Sequence, residues 1–258
     1  MRAAVLGSPI AHSRSPQLHL AAYRELGLTD WTYDRIECTE AQLPGLVAGF
    51  GPEWVGVSVT MPGKFAALRF ATERTARAEL VGSANTLVRV DGGWRADNTD
   101  VDGVVGALGE VSGAAAVLGS GGTAPAAVVA LAELGVPDLA IVARNAEKAA
   151  ALVDLGHRLG MAARWVALGE PLKSLGVVVN TLPAAVAGEF SGTVADTAVL
   201  LDAIYDPWPT PLAAAVAAAG GRVVSGLQML LNQAYAQVEQ FTGMPAPREA
   251  MAAALAAS

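Results

Sequence analysis

The chain has 258 residues, enough for one large domain or two small ones and for a substantial hydrophobic core. Its 17 lysines and arginines stand against 24 aspartates and glutamates, so the formal net charge is −7 and a nucleic-acid partner is not expected. Hydrophobic residues make up 53% of the chain, yet no apolar run reaches the roughly 18 residues of a membrane span. The single cysteine, Cys38, is typical of a reducing compartment, and with three histidines it does not favour a zinc site. We therefore expect a cytoplasmic protein without a membrane, nucleic-acid or metal partner.

Short strand-like segments alternate with helix-like segments along almost the whole chain, which predicts an α/β fold. In the first half the predicted strands are Ala3–Leu6, Thr32–Glu37, Val55–Thr60, Asn85–Val90 and Trp94–Asn98. The predicted helices between them are Pro16–Gly27, Glu40–Phe50 and Pro62–Phe70. The turn Asp91–Gly93 predicts that the last two strands form a hairpin.

The second half repeats strand and helix more regularly, which is typical of a parallel sheet. The predicted strands are Ala114–Leu118, Leu139–Ala143, Arg164–Ala167, Val177–Asn180, Val199–Asp202 and Arg222–Val224. The predicted helices are Asp100–Leu108, Thr123–Leu134, one from Ala146, Gln228–Phe241 and Arg248–Ala256. A domain boundary is expected at the helix Asp100–Leu108 because no low-complexity linker occurs.

A glycine-rich loop joins an apolar strand to a helix. It comprises Gly119, Ser120, Gly121, Gly122 and Thr123. Glycines there permit a tight turn and a close approach of the backbone to a pyrophosphate, whose charge then meets the helix N-terminus. The spacing G-x-G-G differs from G-x-G-x-x-G, so an ordinary strand–helix turn is the alternative.

The end of the next strand bears on the choice of nucleotide. NAD sites usually have an acidic residue there for the ribose 2′-hydroxyl, whereas this strand runs into Arg144 and Asn145, with Lys148 one turn later. Cations at this point attract a 2′-phosphate. We therefore expect NADP, with a solvated arginine at a strand end as the alternative.

Three polar segments occupy the first half. Ser15 is predicted to cap a helix that begins at Pro16, which leaves Ser13 without an explanation. Lys64 follows a strand end and a helix-starting proline. Asp100 begins the linking helix. A lysine and an aspartate near one cleft supply a proton donor and its orienting partner.

Together these segments resemble the motifs of the shikimate dehydrogenase family, which includes quinate dehydrogenases. The matching motifs are Gly7-Ser8-Pro9-Ile10, His12-Ser13-x-Ser15-Pro16, Val59-Thr60-Met61-Pro62-x-Lys64, Ser83-Ala84-Asn85-Thr86, Asn98-Thr99-Asp100, Gly119-x-Gly121-Gly122, Asp202-x-x-Tyr205-x-Pro207-x-x-Thr210-Pro211-Leu212 and Gly226-x-x-Met229-Leu230-x-x-Gln233. They follow the family's order over residues 7–243, and the ordered set is far more specific than any one motif.

The resemblance implies a substrate-binding domain of residues 1–100 plus 226–258 and an NADP-binding Rossmann domain of residues 101–225. It implies reversible reduction of 3-dehydroshikimate to shikimate with NADPH, a step of aromatic amino-acid biosynthesis. The implied catalytic pair is Lys64 and Asp100. The implied substrate contacts are Ser13, Ser15, Thr60, Asn85, Asp100, Tyr205 and Gln233, and the implied cofactor contacts are Gly119, Ser120, Gly121, Gly122, Thr123, Arg144, Lys148 and Gly226.

The chain also departs from the family pattern. Ser58 stands where asparagine is usual, Gly63 replaces a larger residue and Leu182 replaces a small hydroxylated one. A quinate or aminoshikimate dehydrogenase of the same fold is an alternative, although paired serines at 13 and 15 favour shikimate. A non-catalytic metabolite sensor is another, although Lys64 and Asp100 both remain. The oligomeric state is open, with a homodimer as one outcome.

Overall fold

The computed structural model describes residues 1–257, which pack into two compact units. The first unit consists of Met1–Thr99 and the C-terminal segment from Leu230, and the second of Asp100–Met229. The expected domains end at residue 100 and resume at residue 226, so Asp100 and residues 226–229 lie in the other unit than expected. None of the helices within residues 1–257 is both long and apolar enough to cross a membrane.

The first unit is built on a six-stranded mixed sheet. Its strands are β1 (Arg2–Gly7), β2 (Thr32–Glu37), β3 (Trp54–Val59), β4 (Glu73–Arg74), β5 (Thr86–Val90) and β6 (Gly93–Asp97), in the order β2-β1-β3-β5-β6-β4. Its helices are α1 (Ser15–Glu25), α2 (Leu43–Ala48), α3 (Lys64–Phe70), α4 (Ala76–Val81), α11 (Arg248–Ala256) and most of α10 (Gly226–Thr242). Strands β2, β1 and β3 are parallel, whereas β3, β5 and β6 pair antiparallel.

The second unit is built on six parallel strands. They are β7 (Ala114–Leu118), β8 (Asp138–Ala143), β9 (Ala162–Ala167), β10 (Leu175–Asn180), β11 (Val199–Asp202) and β12 (Arg222–Ser225), in the order β12-β11-β10-β7-β8-β9. The helices are α5 (Asp100–Leu108), α6 (Ala124–Glu133), α7 (Ala146–Arg158), α8 (Ala184–Glu189) and α9 (Pro211–Ala218). This is the strand order of a dinucleotide-binding Rossmann fold, so the predicted α/β class is confirmed.

Most predicted elements are confirmed to within a few residues, including the hairpin of β5 and β6. The short elements β4, α4 and α8 and the alanine-rich α9 were not predicted. Helix α9, with the sequence PLAAAVAA, has no polar positions to reveal a helical period, although Thr210 does cap it by accepting a hydrogen bond from Ala213 N.

Candidate active site

Predicted site residues in both units lie directly after the carboxyl ends of parallel strands. The serine segment follows β1, Thr60 follows β3 and the glycine loop follows β7. In α/β sheets this edge is where ligands bind, because helix N-termini and loop side chains gather there. Chain topology therefore places each group at a suitable edge of its own sheet.

The serine segment is ordered by hydrogen bonds that differ from the predicted cap. Helix α1 begins at Ser15 itself, with Arg14 at the N-cap position and no side-chain cap, so the prediction that Ser15 caps the helix is wrong. Ser15 is instead buried near the Tyr33 side chain. Ser13 Oγ accepts from Ser15 N at 3.3 Å, and Arg35 donates twice to Ser13 O, at 2.8 and 2.6 Å. The two serines are thus held in a fixed loop.

Arg14 is engaged elsewhere. Its Nε donates to Gln17 Oε1 at 2.8 Å and its terminal nitrogen donates to the carbonyl oxygen of Leu255 at 3.4 Å. The guanidinium is therefore engaged along α1 and at the end of α11.

Asn85 lies at the centre of a buried polar cluster. Its Oδ1 accepts from Thr99 N at 2.8 Å and from Thr86 Oγ1 at 2.8 Å. Its Nδ2 donates to Thr99 Oγ1 at 3.0 Å and to Gln233 Oε1 at 3.4 Å. Asn85, Thr99 and Gln233 are all buried, so these bonds act in a low dielectric and fix the orientation of each amide. The structure brings together side chains 148 residues apart in sequence.

Tyr33, Ser58, His19 and Gln237 extend this cluster and were not predicted. Tyr33 donates to Ser58 Oγ at 2.6 Å, Ser58 donates to Gln237 Oε1 at 2.7 Å, and His19 lies 3.3 Å from the same oxygen. Burial lowers the pKa of His19 to about 3 against the opposing effect of its hydrogen bond to Gln237 Oε1, and burial raises the pKa of Tyr33. Two of the four carried a sequence signal: Gln237 lies one helical turn beyond Gln233, and Ser58 departs from the family pattern.

Lys64 is the first residue of α3 and is buried, with 7% of its surface exposed. Its carbonyl oxygen accepts from Ala84 N at 3.0 Å, which ties the start of α3 to the segment that carries Asn85. Thr60 is half-buried and its backbone N donates to Leu6 O at 2.8 Å, next to β1. Lysine side chains are seldom this buried in the absence of a structural or functional reason.

Asp100 and Tyr205 belong to the second unit. Asp100 is buried, starts α5 and follows Thr99 directly in the chain. Tyr205 is half-buried in the loop between β11 and α9, whose two ends are held by the buried Asp202. The carboxylate of Asp202 accepts from Ile204 N at 3.1 Å and from Thr210 Oγ1 at 2.5 Å, so the loop that carries Tyr205 is constrained.

The glycine loop has the conformation that a phosphate-binding turn requires. Gly119 has a φ of +104°, and a Cβ there would lie 2.6 Å from Thr181 Oγ1, so only glycine fits. A Cβ on Gly121 would meet no atom within 4 Å, so the backbone there is open to an approaching group. Ser120, Gly122 and Thr123 are half-buried just before α6. The loop therefore fits a pyrophosphate at the N-terminus of α6.

The predicted 2′-phosphate corner is exposed. Arg144 and Lys148 flank Asn145, whose side chain caps α7 by accepting from Glu147 N at 2.8 Å and Lys148 N at 3.2 Å. Trp165 Nε1 donates to the carbonyl oxygen that precedes Arg144 at 3.0 Å. Arg144 directly after β8 and Lys148 in the first turn of α7 are two cations that fit an NADP 2′-phosphate.

Close packing of the backbone explains why residue 226 is a glycine. A Cβ there would lie 2.2 Å from Ala203 O, so the close approach of α10 to the end of β11 requires glycine. Among residues 1–257 there is no group of three or more side chains that could hold a metal ion.

Family models match both ends of the chain. Residues 5–87 match the shikimate dehydrogenase substrate binding domain, and residues 226–256 match the shikimate 5′-dehydrogenase C-terminal domain. The shikimate dehydrogenase (NADP(+)) of Methylobacterium radiotolerans is 39% identical over 267 residues, which cover 96% of this chain and 93% of that one.

Solved structures agree with the family models. The shikimate dehydrogenase of Mycobacterium tuberculosis is 75% identical, with a TM-score of 0.96 over 99% of this chain and 98% of that one. The shikimate 5-dehydrogenase of Thermus thermophilus, in complex with NADP(H) and shikimate, is 29% identical, with a TM-score of 0.84 over 100% and 99% of the two chains. The resemblance inferred from ordered motifs is thereby confirmed, and the chain belongs to the shikimate dehydrogenase family.

Proposed function

We propose that this protein is an NADP-dependent shikimate dehydrogenase that reversibly reduces 3-dehydroshikimate to shikimate. The observation that carries the proposal is the buried cluster of Asn85, Thr99 and Gln233, joined through Ala84 to the start of α3 at Lys64. Oriented amides and a hydroxyl suit the several hydroxyl groups of shikimate, because each can donate and accept. A cluster built for hydrogen bonding also discriminates against analogues that lack a hydroxyl.

The carboxylate of the substrate is assigned to Ser13 and Ser15. Arg14 is held by Gln17 and the Leu255 carbonyl, so the two serines are the better candidates in this loop. Ser15 starts α1, whose N-terminal end carries partial positive charge and favours an anion. Because the net charge of −7 repels anions at long range, affinity must come from such local contacts.

Proton transfer is assigned to Lys64 and Asp100. NADPH, when bound, supplies the hydride that reduces the C3 carbonyl, and the carbonyl oxygen becomes negative as this occurs. Lys64 Nζ donates the proton that this oxygen needs. The Asp100 carboxylate orients the lysine and a neighbouring substrate hydroxyl, while Thr60 and Tyr205 complete the substrate contacts.

The residues proposed to hold the cofactor are those of the glycine loop and the cationic corner. Gly119–Thr123 would bind the pyrophosphate through backbone N–H groups, and Arg144 with Lys148 would bind the 2′-phosphate. The left-handed Gly119 and the exposed cations support these roles. Gly226 is proposed as a further contact, in addition to its packing against Ala203.

The proposal is tested by a steady-state absorbance assay of NADPH formation with the purified protein. Shikimate, quinate and aminoshikimate are each supplied with NADP or NAD. The expected result is turnover with shikimate and NADP, with a preference for NADP over NAD of at least about tenfold in kcat/KM. A higher kcat/KM with quinate or aminoshikimate would assign the other substrate, and binding of shikimate without turnover would identify a sensor.

Two further features are part of the proposal. We place the reaction in the cytoplasm, which the single cysteine supports, and fractionation of the source cells tests it. A homodimer is the proposed assembly state, and light scattering from the purified protein at several concentrations measures it directly.

A further inference from the structure

One continuous path of buried hydrogen bonds runs through the first unit. Tyr33 donates to Ser58 at 2.6 Å, and Ser58 donates to Gln237 Oε1 at 2.7 Å. Gln237 Nε2 donates to Thr86 Oγ1 at 2.9 Å and to Asn85 O at 3.2 Å, and Thr86 donates to Asn85 Oδ1 at 2.8 Å. All five residues are buried, so the path lies in a low dielectric.

The donor and the acceptor of each hydrogen bond on this path follow from one atom, the carbonyl oxygen of Asn85. The carbonyl oxygen of Asn85 can only accept, so it is the Nε2 end of the Gln237 amide that faces it. Gln237 Oε1 therefore faces Ser58 and His19, which must both donate. Ser58 then accepts from Tyr33, whose single proton is used in this bond. The Gln237 amide thus sets the polarity of the whole path.

Gln237 also fixes the distance between Asn85 and Gln233, which their own hydrogen bond constrains only weakly. The bond from Asn85 Nδ2 to Gln233 Oε1 is 3.4 Å long, at the weak limit for a hydrogen bond. Gln237 lies one turn beyond Gln233 on α10, and with Val59 N it holds the Asn85 carbonyl, at 3.2 and 2.7 Å. The Gln237 amide therefore ties α10 to the Asn85 carbonyl and to Thr86 at the start of β5, beside the weak direct contact.

We propose that Gln237 is a positioning residue of the substrate site, which sets Gln233 and Asn85 at the spacing that shikimate requires. This inference rests on the proposed function, because it takes Asn85 and Gln233 as substrate contacts. Gln237 reaches the substrate only through them. Its loss weakens the binding of shikimate and leaves the binding of NADP unchanged.

The test compares Gln237→Met with Gln240→Met. Methionine keeps the length of the side chain and removes the amide. Gln240 is a matched control, since it lies on the same helix and its Nε2 donates to the carboxylate of Asp97 at 2.7 Å, rather than to Asn85 or Thr86 as Gln237 does. We expect Gln237→Met to raise the KM for shikimate about fivefold, as for the loss of a neutral hydrogen bond, with kcat and the KM for NADP changed less than about twofold.

The control separates positioning from stability. Both variants are expected to lower the melting temperature, whereas Gln240→Met keeps all three kinetic constants within about twofold of the wild type. An unchanged KM for shikimate in Gln237→Met, or an equal rise in Gln240→Met, would overturn the positioning role.

A second readout does not need turnover. In a proton–nitrogen correlation spectrum, the side-chain amide signals of Asn85 are expected to shift in Gln237→Met and to stay in place in Gln240→Met. Unmoved signals in Gln237→Met would overturn the inference even if the protein proved inactive with shikimate. Wild-type protein that does not oxidise shikimate would overturn the proposed function alone.

Discussion

The proposed substrate residues and the proposed cofactor residues are held by different physical means. In the first unit Asn85, Thr99 and Gln233 are buried and hydrogen-bonded to one another. In the second unit Arg144 and Lys148 are exposed, the first directly after β8 and the second in the first turn of α7, which Asn145 caps. Buried bonds are directional and insensitive to salt, whereas exposed charges are screened. We infer that the buried residues of the first unit select the substrate by the geometry of their hydrogen bonds. The exposed cations of the second unit favour NADP over NAD by their charge.

The largest expected effect is that of Lys64 on the chemical step. Lys64→Met removes the proton donor, so kcat is expected to fall by roughly 10²–10⁴, with a much smaller change in the KM for shikimate. Steady-state kinetics measure both constants. Lys173→Met, at an exposed position in the second unit, is the control and should keep the wild-type kcat. A Lys64→Met variant with near wild-type kcat would remove Lys64 from the mechanism.

The next effect concerns the substrate carboxylate. Ser13→Ala removes a hydrogen bond to a charged group, which contributes about 1.5–3 kcal/mol, so the KM for shikimate should rise roughly 10- to 150-fold. The KM for NADP should stay nearly constant. Arg14→Ala is the matched comparison and should have much less effect, because Arg14 is engaged by Gln17 and Leu255. A large effect at Arg14 with none at Ser13 would replace the serine site by an ion pair.

A smaller effect is expected at the cationic corner. Arg144→Ala should reduce the preference for NADP over NAD about tenfold, chiefly through the KM for NADP. Because Arg144 is exposed, raising the salt concentration from about 0.05 to 0.5 M should raise the wild-type KM for NADP more than the KM for shikimate. Two results would contradict this role of the exposed cations. One is an equal salt dependence of the KM for NADP and the KM for shikimate, and the other is an unchanged preference for NADP over NAD in Arg144→Ala.

The last effect is on stability and arises from His19 in the buried cluster. Its pKa is lowered from 6.5 to about 3, mainly by burial. Between these two pH values the imidazole is therefore protonated in the unfolded chain and neutral in the folded protein. The free energy of unfolding should therefore fall as the pH drops from 6.5 towards 3, by at most about 1.36 kcal/mol per pH unit from this residue. Urea unfolding of His19→Phe should have a shallower pH slope over this range.

The parts of this molecule that the sequence predicts well are those set by local pattern. The apolar run of β7, the glycines that follow it, and the turn between β5 and β6 are each short segments of consecutive residues. The family motifs likewise list contiguous residues such as Ser83–Thr86. The bonds among Tyr33, Ser58 and Gln237 do not follow from local pattern because they are long-range, with Ser58 and Gln237 179 positions apart.

One departure from the family pattern has a packing explanation. A Cβ on Gly63 would lie 2.9 Å from Leu43 Cδ1 and 3.0 Å from Val59 Cγ1. Leu43 is buried and fills the space that a larger residue at position 63 would need. The glycine and the leucine therefore compensate each other, which the sequence alone did not reveal.

We infer that the substrate residues of the first unit and the cofactor residues of the second act independently. This independence is tested most directly by a double-mutant cycle on Ser13→Ala and Arg144→Ala. The measurement is kcat/KM for shikimate and for NADP in the wild type, both single variants and the double variant. We expect the free-energy effects of the two changes to add to within about 0.3–0.5 kcal/mol, as for sites without shared partners. A coupling well above that limit, or a loss of cofactor preference in Ser13→Ala, would contradict the division between a substrate region and a cofactor region.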